Sequence, residues 1–241
     1  MIWVFGLAIV VALGAYWALI LTEGVYLGQR VVTLLYDLTP DYYDRIKAIT
    51  WRRDGETLAG PLLQWLEGVE RPLILDVGAG SGRFPQAMLR DPRFDGQVWG
   101  VDISSGMLGN ARRRVGECGD RVALFQGDAG RLPLAAASFD AVVCLETLEF
   151  TRRPESTLDE LMRVLKPGGV LLLTNRIGRA RWFPGRVYTD DELIDLLSGY
   201  PITKLEIHSW NTFYDQVWVR QVGVGDVFNV GGLPGGDLCL R

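Results

Sequence analysis

From residue 71 onward, short apolar runs alternate with amphipathic segments, and this alternation constrains the possible folds more than any other feature. The runs have the length of strands and are continuously apolar, which indicates strands that are buried on both faces. Most are followed by a helix, as in a parallel sheet with helices on both sides, so we predict a doubly wound α/β domain over residues 71–222. The runs are Leu73–Val77, Gln97–Val101, Val122–Phe125, Phe139–Cys144, Val170–Thr174, Ile202–Ile207 and Phe213–Val222.

The first of these runs leads into a glycine-rich turn, Asp76–Gly82, and a helix is predicted directly after it. Glycine tolerates a positive φ and lets a ligand lie against the main chain. Such a loop alone is a weak signal, because dinucleotide-binding proteins use a closely related one. Its weight depends on the residues that end the following strands.

Two of the following strands end in an acid. Asp102 comes 20 residues after Gly82, where a carboxylate can accept hydrogen bonds from both hydroxyls of a ribose. Asp128 ends the third strand and has the reach to bind the exocyclic amine of an adenine. Each acid alone could simply cap a turn or a helix. Together with Asp76, at successive strand ends of one sheet, they favour a ligand site.

The segments Leu145–Phe150 and Lys166–Gly169 complete a set of five ordered motifs between Leu73 and Thr174. In these motifs the chain resembles the class I S-adenosylmethionine-dependent methyltransferases, particularly the group with ubiquinone and menaquinone biosynthesis enzymes. The resemblance implies a seven-stranded sheet in which only the last strand is antiparallel. It also implies that S-adenosylmethionine is the cofactor.

The same resemblance implies which residues contact the cofactor. The glycine loop would surround the methionine part, and Leu145 and Glu146 would lie beside it. Ile103 would contact the adenine ring, and Ala129 would contribute a backbone contact to the adenine. The implied cofactor-binding residues are Asp76, Gly78, Ala79, Gly80, Gly82, Asp102, Ile103, Asp128, Ala129, Leu145 and Glu146.

Methyl transfer demands little of protein side chains, because the sulfonium already makes the methyl group electrophilic. Some relatives have a histidine where this chain has Phe150, which can be neither a base nor a metal ligand. Glu149 is the remaining candidate for a catalytic carboxylate, and an exposed acid at a helix start is the alternative. Candidates on the substrate side are Tyr43, Arg176, Tyr188 and Trp210.

Charge and metal-ligating residues argue against other classes of protein. A net charge of −4 without a concentrated basic face excludes a typical nucleic-acid-binding protein. One histidine and three widely separated cysteines predict no metal centre. Two alternatives stay open at this point, namely a nicotinamide-dependent oxidoreductase and a non-catalytic S-adenosylmethionine-binding module.

The N-terminal stretch Ile2–Leu21 contains no charged residue. Its 20 residues would span about 30 Å as a helix, the thickness of the bilayer's hydrocarbon core. We therefore predict a transmembrane helix over residues 1–22. Lys and Arg occur only after this stretch, which predicts a single-pass membrane protein with a cytoplasmic catalytic domain. These basic residues are Arg30, Arg45, Lys47, Arg52 and Arg53.

The two remaining segments flank the predicted domain. Residues 23–70 have helical periodicity and several aromatic side chains, which predicts a helical linker that could form a lid over the site. Residues 223–241 are rich in glycine, which predicts a flexible tail. A small and possibly lipophilic acceptor fits a membrane-anchored enzyme, although no motif identifies that acceptor.

Overall fold

A computed structural model of the chain describes residues 2–17, 27–41, 53–177, 187–226 and 238–240. Its α-helices are α1 (Ile2–Tyr16), α2 (Gln29–Leu38), α3 (Gly60–Trp65), α4 (Arg83–Arg90), α5 (Ser105–Val115), α6 (Pro154–Val164) and α7 (Asp190–Ser198). The strands are β1 (Leu73–Val77), β2 (Gln97–Asp102), β3 (Val122–Gln126), β4 (Phe139–Cys144), β5 (Leu165–Arg176), β6 (Ile202–Ser209), β7 (Tyr214–Gln221) and β8 (Leu238–Leu240).

The strands form one sheet in the order β3-β2-β1-β4-β5-β7-β6-β8. Strands β1 to β5 run parallel, and β7 runs antiparallel to both of its neighbours. The predicted seven-stranded sheet with an antiparallel last strand is therefore confirmed for β1 to β7. Strand β8 adds to it, since Leu238–Leu240 pair in parallel with β6 inside the segment predicted to be a flexible tail. Strand β8 thus covers the otherwise open edge of β6.

Both faces of the sheet are covered by apolar side chains, as the continuously apolar strands predicted. On one face, α6 and α7 contribute buried leucines such as Leu158 and Leu197. On the other face, α3 and α4 contribute Leu62, Phe84 and Met88, which pack with side chains of the sheet. This two-sided packing confirms the doubly wound architecture.

The strand order reverses between β1 and β4. The chain leaves β1 toward β2 and β3 and then returns to pair β4 with the other edge of β1. Loops that leave the carboxyl ends of two such strands run in opposite directions and leave a crevice, where open α/β sheets bind their ligands. Asp76 near the end of β1 and Leu145 directly after β4 stand at this crevice.

Helices α1 and α2, the first two of the chain, differ in character. Helix α1 is entirely apolar, and its side chains from Phe5 to Tyr16 include seven large apolar ones that are more than half exposed. Among the described residues, no helix is both long enough and apolar enough to cross a membrane. Helix α2 packs against α5 of the domain.

Candidate active site

A cavity that is open to solvent lies at the carboxyl ends of β1, β2 and β4. A second cavity adjoins it and shares four of its lining residues. Of the predicted cofactor-binding residues, Gly78, Gly80, Asp102, Ile103, Ala129, Leu145 and Glu146 line the first cavity. Asp76 and Ala79 line the second.

The glycine loop joins these two cavities. The backbone N–H groups of Gly78 and Ala79 donate to the Val101 carbonyl oxygen, at 2.8 and 3.0 Å, which ties the loop to β2. Gly78 has a φ of +76°, and a Cβ atom there would lie 2.1 Å from Oγ1 of Thr147. At Gly80, where φ is +53°, a Cβ atom would lie 3.4 Å from the terminal methyl of Met107, a cavity-lining residue. Gly78 is therefore needed both for its conformation and for space, and Gly80 for its conformation.

Gly82 has a different part in the same turn. Its φ is +80°, and a Cβ atom would lie 3.0 Å from the Cα atom of Ala111 on α5. It lines neither of the two cavities. The structure therefore assigns Gly82 to the close packing of the loop on α5, and a direct cofactor contact stays a prediction.

The Asp102 carboxylate stands between the glycine loop and the start of α5. Its Oδ2 atom accepts a hydrogen bond from the Gly80 N–H at 2.7 Å, and its Oδ1 atom accepts one from the Ser104 N–H at 2.8 Å. Burial raises the pKa of Asp102 above its ordinary value, against the lowering effect of these N–H groups. A carboxylate has about four acceptor positions, so it can bind two ribose hydroxyls in addition.

Asp128 is placed differently. Its Oδ1 atom accepts a hydrogen bond from the Gly130 N–H at 2.9 Å within the turn that follows β3. Its neighbours Gly127 and Ala129 line the cavity, whereas Asp128 is not among the lining residues. The turn-capping alternative thus has a contact to support it, and binding of the adenine amine by Asp128 stays a prediction.

The second cavity carries more acidic than basic groups. Asp76 is 2 % exposed, and burial together with the nearby Asp102 raises its pKa to about 8, against the lowering effect of Arg83. The Arg83 guanidinium donates to both carboxylate oxygens of Asp54, at 2.6 and 2.9 Å, and to Glu146 at 2.9 Å. Asp54 and Glu146 thus hold Arg83, and a positively charged ligand in the cavity would lower the raised pKa of Asp76 and favour its charged form.

A buried hydroxyl also points to a polar ligand in the second cavity. Ser81 is 2 % exposed and lines this cavity, and its Oγ atom has no hydrogen-bond partner among the described residues. A buried polar atom without a partner is costly unless a ligand or water binds it. Together with the glycines of the loop, this atom fits the amino-acid end of S-adenosylmethionine.

Sequence reasoning missed the ion-pair cluster of Arg83, Asp54 and Glu146 as a unit. Arg83 directly follows the glycine loop, which was an available signal, but Asp54 lies in a segment without a motif. Trp210, predicted on the substrate side, packs against this cluster, with the Arg83 guanidinium 4.9 Å from its ring centroid. Its indole N–H donates to the Thr57 hydroxyl at 3.2 Å. Trp210 therefore supports Arg83 and lines neither of the two cavities.

Glu149 and Arg176 are brought together as a pair. Arg176 donates from Nε to Glu149 at 2.8 Å, and the Tyr214 hydroxyl donates to the same carboxylate oxygen at 2.7 Å. Glu149 is 6 % exposed, so the alternative of an exposed acid at a helix start is wrong. Burial raises its pKa, against the lowering effect of Arg176. Neither Glu149 nor Arg176 lines the cavity, whereas their neighbour Phe150 does.

The other two substrate-side candidates have different outcomes. Tyr188 is half-buried and packs against the core, and its carbonyl oxygen accepts a hydrogen bond from Asn175 at 3.1 Å. It does not line the cavity. Tyr43 lies outside the described residues.

Helix α2 supplies one wall of the cavity, through Val32, Thr33 and Tyr36. The lid predicted from the sequence of this region included Tyr36 among its aromatic residues, but not Val32 or Thr33. The helix is held on the domain by the Asp37 carboxylate, whose Oδ1 atom accepts from the Ser104 hydroxyl at 2.6 Å and from the Gly106 N–H at 2.9 Å. The segment before β1 therefore takes part in the site.

A family model described as a methyltransferase domain matches residues 75–173. The demethylmenaquinone methyltransferase of Renibacterium salmoninarum is 30% identical over 218 residues, which cover 86% of this chain and 85% of that protein. The enzyme of the same name from Clavibacter sepedonicus is 33% identical over 142 residues, covering 59% of this chain and 56% of that protein. The second match thus spans little more than half of the relative's length.

Solved structures agree on the fold. The magnesium protoporphyrin IX methyltransferase of Synechocystis PCC 6803, solved with bound S-adenosylmethionine, superposes with a TM-score of 0.62 at 18% identity. The superposition covers 80% of this chain and 96% of that one. At this level of sequence identity, the similarity shows a shared fold.

Proposed function

The chain belongs to the class I S-adenosylmethionine-dependent methyltransferases, and from this premise we propose that it methylates a small lipophilic acceptor at the membrane. The observation that carries the proposal is the cavity itself. Asp102 and the glycine loop form one side of it, and Val32, Tyr36 and Phe150 form a largely apolar remainder. A cofactor on the polar side would leave the apolar side for the acceptor.

The residues of the two cavities match the parts of S-adenosylmethionine. Asp102 would bind the ribose hydroxyls, and Ile103 and Ala129 would contact the adenine. The second cavity with Asp76 would take the cationic amino group, whose charge would favour the ionised form of Asp76. Ser81 would donate to, or accept from, the amino-acid end of the cofactor.

When bound, S-adenosylmethionine supplies a methyl group that its sulfonium makes electrophilic. Asp102, the glycine loop and the second cavity would hold this group beside the acceptor. The acceptor's nucleophilic atom would receive the methyl group, and its proton would leave to solvent with product release. The protein's part is to align acceptor and cofactor and to exclude bulk water.

The relatives support an acceptor of the quinone class. Two relatives whose matches cover 86% and 83% of this chain carry the name demethylmenaquinone methyltransferase. We propose a reduced, lipophilic quinone-type acceptor for this chain too. The aromatic side chains Tyr36 and Phe150 in the cavity wall are compatible with a flat ring.

We also propose that the N-terminal stretch Ile2–Leu21 anchors the enzyme in a membrane, with the catalytic domain on the cytoplasmic side. The support is its lack of charge, the basic residues that follow it, and the exposure of the apolar side chains of α1. Helix α2 would then act as a lid between the bilayer and the cavity. Its inner face supplies Val32 and Tyr36 to the cavity, and its Leu34 and Leu38 are exposed.

The proposal is tested by transfer of a labelled methyl group from S-adenosylmethionine to a reduced 2-prenyl-1,4-naphthoquinone in phospholipid vesicles. We expect label in the lipid extract with the full chain. Deleting residues 1–22 should leave the affinity for S-adenosylhomocysteine unchanged and lower the rate with the vesicle-borne acceptor. Absence of label, together with intact cofactor binding, would favour a non-catalytic module or another acceptor class. An intact rate after the deletion would refute the anchor's role.

A further inference from the structure

Beside the cavity, three buried side chains form a polar cluster that the proposed chemistry does not use. Glu149, Arg176 and Tyr214 come from the turn after β4, the end of β5 and the start of β7. One oxygen of Glu149 accepts from Arg176 at 2.8 Å and from Tyr214 at 2.7 Å. The Arg176 side chain is 12% exposed and that of Glu149 5%. A buried ion pair is weak evidence for stability, because desolvation offsets most of the attraction.

The cluster touches the cavity through Phe150. The Arg176 guanidinium lies 5.6 Å from the Phe150 ring centroid and 5.1 Å from the Tyr214 ring centroid, so it stands against both aromatic rings. Phe150 directly follows Glu149 in a short 3₁₀ turn and lines the cavity. The ion pair thus fixes both the backbone before Phe150 and one side of its ring.

Phe150 also contacts helix α2. Tyr36 meets Phe150 edge to face, with ring centroids 6.5 Å apart and ring planes at 77°. Tyr36 also lines the cavity, so the two rings form a continuous aromatic corner where the wall from the sheet meets the wall from α2. Aromatic pairs of this geometry attract beyond the area that they bury.

We propose that Glu149 and Arg176 are positioning residues, which set the affinity for the acceptor and the closure of α2 by holding Phe150 against Tyr36. The identity of the acceptor in this proposal rests on the function proposed above, whereas the closure of α2 does not depend on that function. Glu149 then has a role other than that of a base, because its carboxylate points into the cluster and accepts hydrogen bonds from Arg176 and Tyr214.

Two variants separate the ring from the ion pair. Phe150→Leu removes the aromatic ring and keeps the ion pair, so folding should be preserved. Arg176→Met removes the guanidinium, and Arg176→Lys restores the charge without the planar group. Glu160→Gln is the matched control, because Glu160 also accepts from an arginine, Arg163, at 2.6 Å but lines neither of the two cavities.

The first readout is kinetic, with the reduced 2-prenyl-1,4-naphthoquinone as the acceptor probe. We expect Phe150→Leu and Arg176→Met to raise the KM for this probe about three- to tenfold, the effect of one aromatic contact. The kcat and the affinity for S-adenosylhomocysteine should change by less than about threefold. Arg176→Lys should recover part of the loss, and the control should match the wild type. A large loss of kcat in Glu149→Gln with a shifted pH profile would instead assign Glu149 as a base and overturn the proposal.

The second readout does not depend on the acceptor. Amide hydrogen exchange in α2 (Gln29–Leu38) reports its closure on the domain. We expect faster exchange in Phe150→Leu and in Arg176→Met, and unchanged exchange in Glu160→Gln. If the wild type fails to methylate the probe while exchange responds as expected, the proposed acceptor is wrong and the positioning role stands. Unchanged exchange in both variants would overturn the positioning role.

Discussion

Replacing Asp102 by alanine removes an acceptor that serves two purposes. One is the pair of hydrogen bonds from the N–H groups of Gly80 and Ser104, at 2.7 and 2.8 Å, which the alanine variant leaves without a partner. A buried N–H group without a partner costs about 1–3 kcal/mol, and the Gly80 N–H is only half-buried, so we expect the free energy of unfolding to fall by about 2–4 kcal/mol. The other is binding of the ribose hydroxyls, where the loss of a charge-assisted hydrogen bond costs about 1.5–3 kcal/mol. The affinity for S-adenosylhomocysteine should therefore fall about ten- to a hundredfold.

Asp128→Ala is the matched control, because it removes an acid from the next strand end. Its carboxylate accepts only from Gly130 among the hydrogen bonds of the described residues, at an exposed turn. We expect the affinity to fall less than about threefold and the free energy of unfolding to fall by less than about 1 kcal/mol. Calorimetric titration with S-adenosylhomocysteine and chemical denaturation measure both quantities. A folded Asp102→Ala protein with unchanged affinity would refute the assignment of the ribose site, and an equal loss in Asp128→Ala would restore Asp128 as an adenine ligand.

Four further predictions follow from the structure. Gly78→Ala places a Cβ atom 2.1 Å from Oγ1 of Thr147 at a positive φ, so cofactor binding should be lost in calorimetry. Gly109→Ala, in α5 with no atom within 4 Å of the added Cβ, should raise stability by up to about 1 kcal/mol in thermal unfolding. Because the pKa of Asp76 is raised to about 8, its contribution to stability is present at low pH and is lost as the pH rises toward 8. Asp76→Asn should therefore flatten the decline in melting temperature between pH 5 and 8, and an unchanged decline would contradict this. Asp54→Ala leaves its buried partner Arg83 with one carboxylate fewer, so the free energy of unfolding should fall by about 3–5 kcal/mol in chemical denaturation. A fall of less than about 1 kcal/mol would rule out a structural role for the ion pair.

The parts of the site that could be predicted from the sequence are those determined by the local chain. The glycine loop and Asp102 lie at strand ends, and strand ends follow from the alternation of apolar and amphipathic segments. Once β1 and β2 are neighbours in a parallel sheet, their carboxyl ends must meet at one edge. The seven-stranded sheet follows by the same reasoning.

The remaining features depend on contacts between distant segments. Asp54 and Arg83 are 29 residues apart, and their pairing requires the segment before β1 to pack beside α4. The burial of Glu149 depends in the same way on Tyr214, which is 65 residues further along the chain. No local periodicity reports contacts of this kind, so the sequence around Glu149 does not distinguish a buried carboxylate from an exposed one.

Side-chain direction at a strand end is also beyond sequence reasoning. Asp128 stands where the pattern predicts an adenine ligand, but its carboxylate turns back to the N–H of Gly130. Short polar side chains compete for nearby backbone groups in turns, and the outcome depends on a few degrees of backbone rotation. Strand β8 went unpredicted for a related reason, because three apolar residues form a strand only when an open edge such as that of β6 is available.

The central claim is that the cavity at the ends of β1, β2 and β4 binds S-adenosylmethionine. The most direct measurement is a calorimetric titration of the full chain in detergent with S-adenosylhomocysteine, and in parallel with NAD, at the same protein concentration. We predict saturable binding of S-adenosylhomocysteine with one site per chain, which the Asp102→Ala variant weakens, and no saturable heat with NAD. Saturable binding of NAD without binding of S-adenosylhomocysteine would contradict the claim.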